Sequence, residues 1–288
     1  MKRNLLAVLA VCLVLSAALP ALAQESAPSK VIQIFREEVK PGKGSAHEKV
    51  EAGWPRAFAK AKSPTHYLAM TSVSGPTEAW FIAGYDSLAA WEKDTQNNDS
   101  NPALSAELQS LSAQDGELLS NVRSVVATYR EDLSYRANGV NLGEMRYFYV
   151  TTMRVRPGSD YSEINKIVRA AHEKANVPEH WAVFQVNYGM LSGTFLIFEP
   201  LKSLADVDAF PQTHGEAYRN AIGEDGAKKL RELTSAAVIT SETNIFAFSP
   251  KMSYLSEKTI AADPNFWAPK PKAPAPAKAA AQKPAAKP

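Results

Sequence analysis

Two histidines occupy equivalent places in a sequence pattern that occurs twice, and a pair of imidazoles can bind a metal ion or relay a proton. His66 and His180 each follow a proline by two positions and directly precede an aromatic residue, Tyr67 or Trp181. Two such rings would face one another across a pseudo-two-fold axis. The alternative is an exposed ring in a turn that both copies inherited, and we favour this simpler interpretation.

The remaining histidines do not form a recognisable metal-binding pattern. His47 and His172 share the string Ala-His-Glu-Lys, but their separation of 125 residues is out of register with the repeat described below, so we interpret the match as coincidence. His214 has no counterpart. No two histidines show the four-residue spacing that places two ligands on one face of a helix. We therefore expect no dedicated metal centre.

Polar and aromatic side chains interrupt several apolar segments that we interpret as strands. Alternate side chains of a strand share a face, so Gln33, Phe35 and Glu37 are expected on one face, which we predict to line an interior cavity. Mixed aromatic and amide linings are typical of small-ligand pockets. The predicted ligand-binding residues are Gln33, Trp80, Tyr149, Gln185, Asn187, Asn244, His66 and His180. Ordinary packing is the alternative for each of them, and no catalytic residue is identified.

The motifs that the sequence lacks exclude several enzyme classes. It has no glycine-rich phosphate loop, no Gly-x-Ser-x-Gly elbow and no His-Glu-x-x-His string. Nucleotide hydrolysis, α/β-hydrolase chemistry and zinc proteolysis are therefore set aside.

The elements that must position these residues come from a tandem duplication. The segment 35–42 matches 151–158 at an offset of 116, and 85–89 matches 201–205 at the same offset. Common order and near-constant spacing make chance a poor explanation.

Each copy predicts the order β-α-β-β-α-β, which is the ferredoxin-like arrangement of a four-stranded antiparallel sheet with both helices on one face. The predicted strands are 31–39, 67–73, 80–85 and 124–130 in the first copy, and 147–155, 181–188, 194–198 and 244–248 in the second. A sheet covered on one face must bury the other. We therefore predict an α+β fold in which the two sheets pack together as an intramolecular barrel, and a monomer, because duplication supplies the second unit.

The start of each copy, a strand followed by Pro-Gly, and the string Trp80-Phe81-Ile82-Ala83-Gly84-Tyr85-Asp86-Ser87-Leu88 resemble the dimeric α+β barrel superfamily, in particular NIPSNAP-type and antibiotic-biosynthesis-monooxygenase-type domains. The resemblance covers roughly residues 30–254. It implies a central cavity. Some relatives bind haem through a histidine, and others are cofactor-independent monooxygenases that use Asn, Trp and Tyr groups. Nothing in this sequence selects one histidine as a haem ligand, and the Asn, Trp and Tyr residue types are present without a recognisable spacing. We therefore expect no cofactor, with haem as the minor alternative.

Both ends of the chain differ in composition from its centre. Residues 1–23 combine a basic start, a short apolar run and an Ala-x-Ala site, which is typical of a cleaved secretory signal peptide. The sole cysteine, Cys12, lies within it, so the mature protein should contain no thiol or disulfide. We predict repeats over 24–135 and 136–255, and a disordered tail rich in Ala, Pro and Lys over 256–288.

The charge balance argues against a nucleic-acid partner. Lys2 and Arg3 lie in the leader and five lysines lie beyond Ala268, which leaves 25 basic against 30 acidic residues, a net charge of −5 for the folded part. A nucleic-acid-binding protein needs its positive charge on the fold itself. The sequence therefore predicts an exported protein of the periplasm or extracellular space that binds a small apolar or aromatic ligand. The alternatives are a monooxygenase- or isomerase-like enzyme and an envelope interaction protein that acts through its basic tail.

Overall fold

The computed structural model describes residues 27–159, 161–213 and 215–268. The predicted leader and the last twenty residues of the predicted tail lie outside them. The strands are β1 (Val31–Val39), β2 (Tyr67–Ser72), β3 (Glu78–Tyr85), β4 (Leu119–Tyr129), β5 (Tyr147–Val155), β6 (Ala182–Tyr188), β7 (Thr194–Leu201) and β8 (Val238–Phe248). The helices are α1 (Gly44–Glu51), α2 (Gly53–Ala61), α3 (Leu88–Asp99), α4 (Pro102–Gly116), α5 (Tyr161–Ala175), α6 (Ala205–Thr213), α7 (Glu216–Ala237), α8 (Glu257–Ala262) and α9 (Pro264–Trp267).

The eight strands form one closed antiparallel barrel in the order β1-β3-β2-β8-β5-β7-β6-β4. Within each half the pairing is that of a ferredoxin-like sheet, and the pairs β2–β8 and β4–β6 join the two halves. Closure removes the free strand edges that an open sheet would expose. The predicted α+β fold with two β-α-β-β-α-β repeats is therefore confirmed.

Both faces of the strands are covered, one by the barrel interior and the other by helices. The barrel interior is a single apolar cluster to which all eight strands contribute, including Ile34, Val125 and Leu196, each fully buried. On the outside of the first half, Phe58 of α2 and Leu104 of α4 pack against the sheet. In the second half a separate outer cluster includes residues of α5 and α7. Within the described residues, no helix is long and apolar enough to span a membrane.

Local sequence signals explain several element boundaries. Gly42 and Gly158, which follow the prolines after β1 and β5, adopt φ values of +75° and +80°, in the left-handed region that favours glycine. Pro55 lies in the first turn of α2, where its missing N–H is tolerated, and a new helix therefore begins at Gly53, directly after α1. The Ser87 hydroxyl caps α3 by accepting a bond from the Ala90 N–H.

The structured chain continues further than the sequence predicts. Residues 256–267, which we assign to the disordered tail, form α8 and α9, and Trp267 is buried against the barrel. The Ser256 and Asp263 side chains cap the two helices. Arg146 anchors the segment through an ion pair with Asp263 and a guanidinium stacked 4.0 Å from the Phe266 ring centre. This segment covers one end of the barrel.

Candidate functional site

The centre of the barrel is filled by aromatic side chains. Trp80 lies with its ring centre 4.7 Å from that of Phe246, and Phe198 lies 5.3 Å from Phe148 and 5.8 Å from Phe184. Such tilted and edge-to-face contacts are favourable packing geometries. The central cavity implied by the resemblance is therefore closed at the middle, and the open space lies towards the two ends.

A large cavity of about 570 Å³ opens at the end covered by α8. Its floor is apolar and aromatic, formed by residues of the barrel interior: Ile32, Leu68, Ile82, Phe148, Phe184 and Phe198. Its rim carries polar groups from the segment between the halves and from α8, among them Asn141, His180, Lys258 and Thr259. We call this space the end cavity. An apolar floor with a few polar groups at the rim is the usual composition of a small-molecule site.

A smaller cavity of about 160 Å³ lies at the opposite end of the barrel. Arg36 donates two bonds of 3.1 Å to Glu78, and its guanidinium lies 4.3 Å from the Trp80 ring centre. The Trp80 indole N–H donates to the same carboxylate at 2.5 Å. Arg123, Thr152, Glu242 and Asn244 complete the polar lining. Arg36 and the Trp80 indole N–H thus both donate to the Glu78 carboxylate. These hydrogen bonds hold the Trp80 ring in place at this end of the barrel.

The structure separates the eight predicted ligand-binding residues. Trp80 and Asn244 meet at the small cavity, and His180 borders the end cavity. His66 is exposed beside Tyr254, 5.0 Å between ring centres, so the two histidines do not face each other across the barrel.

The remaining four predicted residues face outwards. Ile32 and Ile34 belong to the interior cluster, so Gln33, which lies between them, points to the helix side. Tyr149 packs against Phe210 of α6. Gln185 accepts a bond from Arg130, and Asn187 accepts one from Thr128. The predicted orientation of the Gln33 face is therefore wrong.

Sequence reasoning missed a buried polar cluster between the first-half sheet and its helices. Glu37, His47, Glu51 and Asp115 each offer one oxygen or nitrogen, and these atoms all lie within 4.8 Å of one another. We call this group the carboxylate–histidine cluster. One signal was available: His47 and Glu51 are four residues apart on α1, which places them on one helix face. The spacing of histidines alone does not reveal it, because the partner at this spacing is a glutamate.

The second half also buries a histidine beside a carboxylate. The His172 Nδ1–H donates to the Val168 carbonyl oxygen at 2.8 Å, and Nε2 lies 3.1 Å from a Glu179 oxygen. Nearby, burial and the charge of Glu179 raise the pKa of Glu199 to about 8. His47 and His172 thus share a buried setting, although they are not equivalent positions of the repeat.

Haem, which the resemblance implies as the minor alternative, needs a histidine with a free ring nitrogen beside a cavity. His180 fits, because its Nδ1–H donates to the Arg136 carbonyl oxygen at 2.8 Å, so its Nε2 atom at the rim of the end cavity could hold the haem iron. Bound there, haem would supply redox chemistry. His172 does not fit, because both its ring nitrogens have partners.

Comparisons with known proteins find similar solved structures at low sequence identity. The chain is similar to a candidate monooxygenase from Fusobacterium nucleatum, with 14% identity and a TM-score of 0.49 over 77% of this chain and 93% of that one. It is similar to an anthrone oxidase-like protein, with 14% identity and a TM-score of 0.47 over 76% and 92%. A chlorite dismutase variant from Candidatus Nitrospira defluvii shows 12% identity and a TM-score of 0.45 over 78% and 92%.

No protein-family model matches the sequence, and neither does any curated protein. The closed barrel of two ferredoxin-like halves is nevertheless the fold that the resemblance predicts. The assignment to the superfamily, and to its NIPSNAP-type members in particular, stays a prediction.

The packing of α9 beside the end cavity predicts an effect on stability. Trp267 is 5% exposed and donates its indole N–H to the Gly143 carbonyl oxygen at 2.6 Å, and Gly143 lines the cavity. Trp267→Ala should lower the free energy of unfolding by about 3 kcal/mol, because it removes this packing and the bond. Urea unfolding followed by circular dichroism measures the change. Trp91→Ala, at a partly exposed tryptophan of α3, is the control and should cost less than Trp267→Ala.

Proposed function

We propose that this protein is exported and binds a small apolar or aromatic compound in the end cavity without a cofactor. The observation that carries the proposal is the cavity itself, about 570 Å³ with a floor of aromatic and aliphatic side chains. This volume lies within the range of roughly 300–1,000 Å³ that small-ligand sites occupy. Burial of an apolar ligand there would release water from the aromatic floor, which provides the driving force.

The rim groups supply orientation and selectivity. Lys258 and Thr259 of α8 and His180 before β6 lie around one opening, so a ligand with a single acceptor group would place it there and its apolar part inside. A site with polar groups at one side favours amphiphilic aromatic compounds over pure hydrocarbons. Because the two halves of one chain close the barrel, we propose that a monomer binds the ligand.

Binding can be tested with N-phenyl-1-naphthylamine, a neutral aromatic dye whose fluorescence rises in apolar surroundings. Ala182 of β6 borders the end cavity and lies opposite Phe198 in the strand register. Ala182→Trp should weaken dye binding at least about 10-fold, because the new ring occupies the ligand's space. Ala89→Trp adds the same ring on the exposed start of α3 and should leave binding unchanged. Equal affinity in the two variants would remove the end cavity as the site.

The enzyme alternative and the haem alternative can be tested on the same purified protein. Mass spectrometry of 2-naphthol after prolonged aerobic incubation with the protein should recover the compound unaltered. An oxygenated product that depends on the protein would replace binding with catalysis. Haemin titration should give no sharp Soret band, and a band lost in His180→Ala would assign the end cavity to haem instead.

A further inference from the structure

Three elements of the first half bring the carboxylate–histidine cluster together. Glu37 stands on the outer face of β1, His47 and Glu51 lie one turn apart on α1, and Asp115 lies one residue before the end of α4. The His47 Nε2 atom is 2.9 Å from a Glu37 oxygen and 3.6 Å from the Asp115 Oδ1 atom. His47, Glu51 and Asp115 are 2%, 3% and 4% exposed, so water has little access to the group.

The cluster leaves polar atoms unsatisfied. The Asp115 Oδ1 atom is buried, faces the His47 ring and has no hydrogen-bond partner among the described residues. The Tyr67 hydroxyl of β2 is likewise buried without a partner in the described part of the chain, and the charges of Glu51 and Glu37 act on it. An imidazole Nε2 has at most one proton to donate, so it cannot satisfy both Glu37 and Asp115. Buried polar atoms of this kind call for an ion or a water.

The charge balance points to a cation. Three carboxylates surround one imidazole, and isolated negative charge is strongly disfavoured in a buried site unless a proton or a cation compensates it. Burial and the charges of Glu37 and Asp115 raise the pKa of Glu51 to about 9, although the Trp54 indole N–H opposes the shift. Burial and the charge of Glu37 raise the pKa of Asp115 to about 6, against the opposing effect of His47. In the absence of a cation, protons therefore provide the compensation.

We propose that Glu37, His47, Glu51 and Asp115 form a binding site for one divalent first-row transition-metal cation, outside the barrel between β1, α1 and α4. One imidazole nitrogen with three carboxylate oxygens is a donor set suited to Zn²⁺ or Mn²⁺. Ca²⁺ and Mg²⁺ take oxygen ligands and would gain little from the imidazole. Ligands at about 2.1 Å from a tetrahedral ion stand about 3.4 Å apart. On binding, the wider separations in the cluster, which reach up to 4.8 Å, would shorten, and the 2.9 Å contact between His47 and Glu37 would open slightly.

The duplication shows that the fold does not require these charges. The residue equivalent to Glu37 in the strand register is Met153 of β5, which packs against the apolar outer cluster of the second half. A hydrophobic side chain thus serves at the same place in the same architecture. Four protein ligands drawn from three elements would make a closed site, and closed sites of this kind stabilise the fold.

Metal binding to the untagged full-length protein, stripped with chelator, tests the proposal. Calorimetric titration with ZnCl₂ and MnCl₂ at pH 7.5 should show one ion per chain for at least one metal. Elemental analysis after gel filtration should give the same ratio, and the melting temperature should rise by about 5 °C or more at saturation. Affinity should increase at least about 10-fold from pH 6 to pH 8, because the ion must displace protons from the carboxylates.

Matched variants identify the ligands. Asp115→Asn and Glu37→Gln keep size and shape while removing charge, and each should weaken binding at least about 100-fold. His172→Gln is the control, since His172 is also a buried histidine beside a carboxylate, and it should bind like the unmodified protein. Near-UV circular dichroism checks that the variants fold.

The unmodified protein decides the question even if a variant does not fold. Absence of stoichiometric Zn²⁺ and Mn²⁺ binding at pH 7.5 overturns the site, and so does binding that survives in both folded ligand variants. These results are independent of dye binding at the end cavity, because the two sites share no residue.

Discussion

Trp80→Ala should lower the free energy of unfolding by about 3–5 kcal/mol, the range expected when a large buried aromatic side chain is removed. Trp80 is 2% exposed and contacts Phe246 and Phe198 across the barrel axis, so its loss leaves a cavity that strands of both halves would have to close. Glu78 would also lose the indole N–H donor and keep only Arg36. Chemical denaturation, followed by both fluorescence and circular dichroism, measures this change in the free energy of unfolding.

A conservative variant separates packing from hydrogen bonding at this site. Trp80→Phe retains an aromatic ring beside Phe246 but removes the N–H, and it should cost about 1–2 kcal/mol more than a matched change at a partly exposed tryptophan. Trp91→Phe on α3 provides that reference. If Trp80→Ala and Trp91→Ala lower the free energy of unfolding equally, the aromatic packing at the barrel axis does not hold the two halves together.

The strands were predictable because their signals are local. β1 and β5 begin and end where the sequence predicts, since runs of β-branched and apolar residues stop at Pro-Gly. The start of α3 was predictable from Ser87. The longer strands β4 and β8 extend further towards their N-termini than predicted, because pairing with β1 and β5 continues through residues that are polar and exposed. Tertiary pairing overrides local composition there.

The orientation of the strands was harder to predict, for a physical reason. In this fold both faces of a strand are covered, one by the barrel interior and one by helices, so alternation divides the residues into two sets without saying which set points inwards. The choice of Gln33 as inward-facing followed the expectation of a polar pocket. The interior instead takes the more apolar set, with Ile34 fully buried.

The cluster and the cap lay beyond sequence reasoning because they depend on distant contacts. Glu37 and Asp115 are far apart in sequence, and only the fold brings both to His47. The short helices α8 and α9 adjoin a segment rich in Ala, Pro and Lys, which masked their capping residues Ser256 and Asp263. Phe266 and Trp267 at the end of α9 were the one signal in the sequence that this segment packs against a core.

The stability of the metal-free protein should fall as pH rises from 5 to 9. The pKa of Glu51 is raised from its ordinary value of 4.5 to about 9, first by burial and then by the charges of Glu37 and Asp115. Between these two values the unfolded chain releases the proton and the folded chain keeps it, so the folded state binds more protons. The contribution of Glu51 is therefore fully present below about pH 4.5 and is lost as the pH rises through about 9.

Urea unfolding in the presence of EDTA, at constant ionic strength and at unit steps from pH 5 to pH 9, should show a decrease of roughly 2–4 kcal/mol. Glu51→Gln keeps the shape of a protonated carboxyl and cannot ionise, so its curve should be flatter than that of the unmodified protein. Burial and the charge of Glu179 raise the pKa of Glu199 to about 8, so Glu199 lowers stability with rising pH in the same way. Glu199→Gln should therefore remove the part of the pH dependence that comes from the second half. Parallel curves for the unmodified protein and Glu51→Gln would contradict the protonated state of the cluster.

A transition-metal ion should reverse this dependence. When a dication replaces the protons, Glu51 and Asp115 are ionised in the folded state, and the stabilisation conferred by the ion then grows with pH because the competing protons become scarcer. At saturating Zn²⁺ the unmodified protein should therefore be more stable at pH 8 than at pH 6, whereas Asp115→Asn should retain the metal-free trend. The sign of the slope distinguishes a carboxylate cluster that merely holds protons from one that exchanges them for a cation.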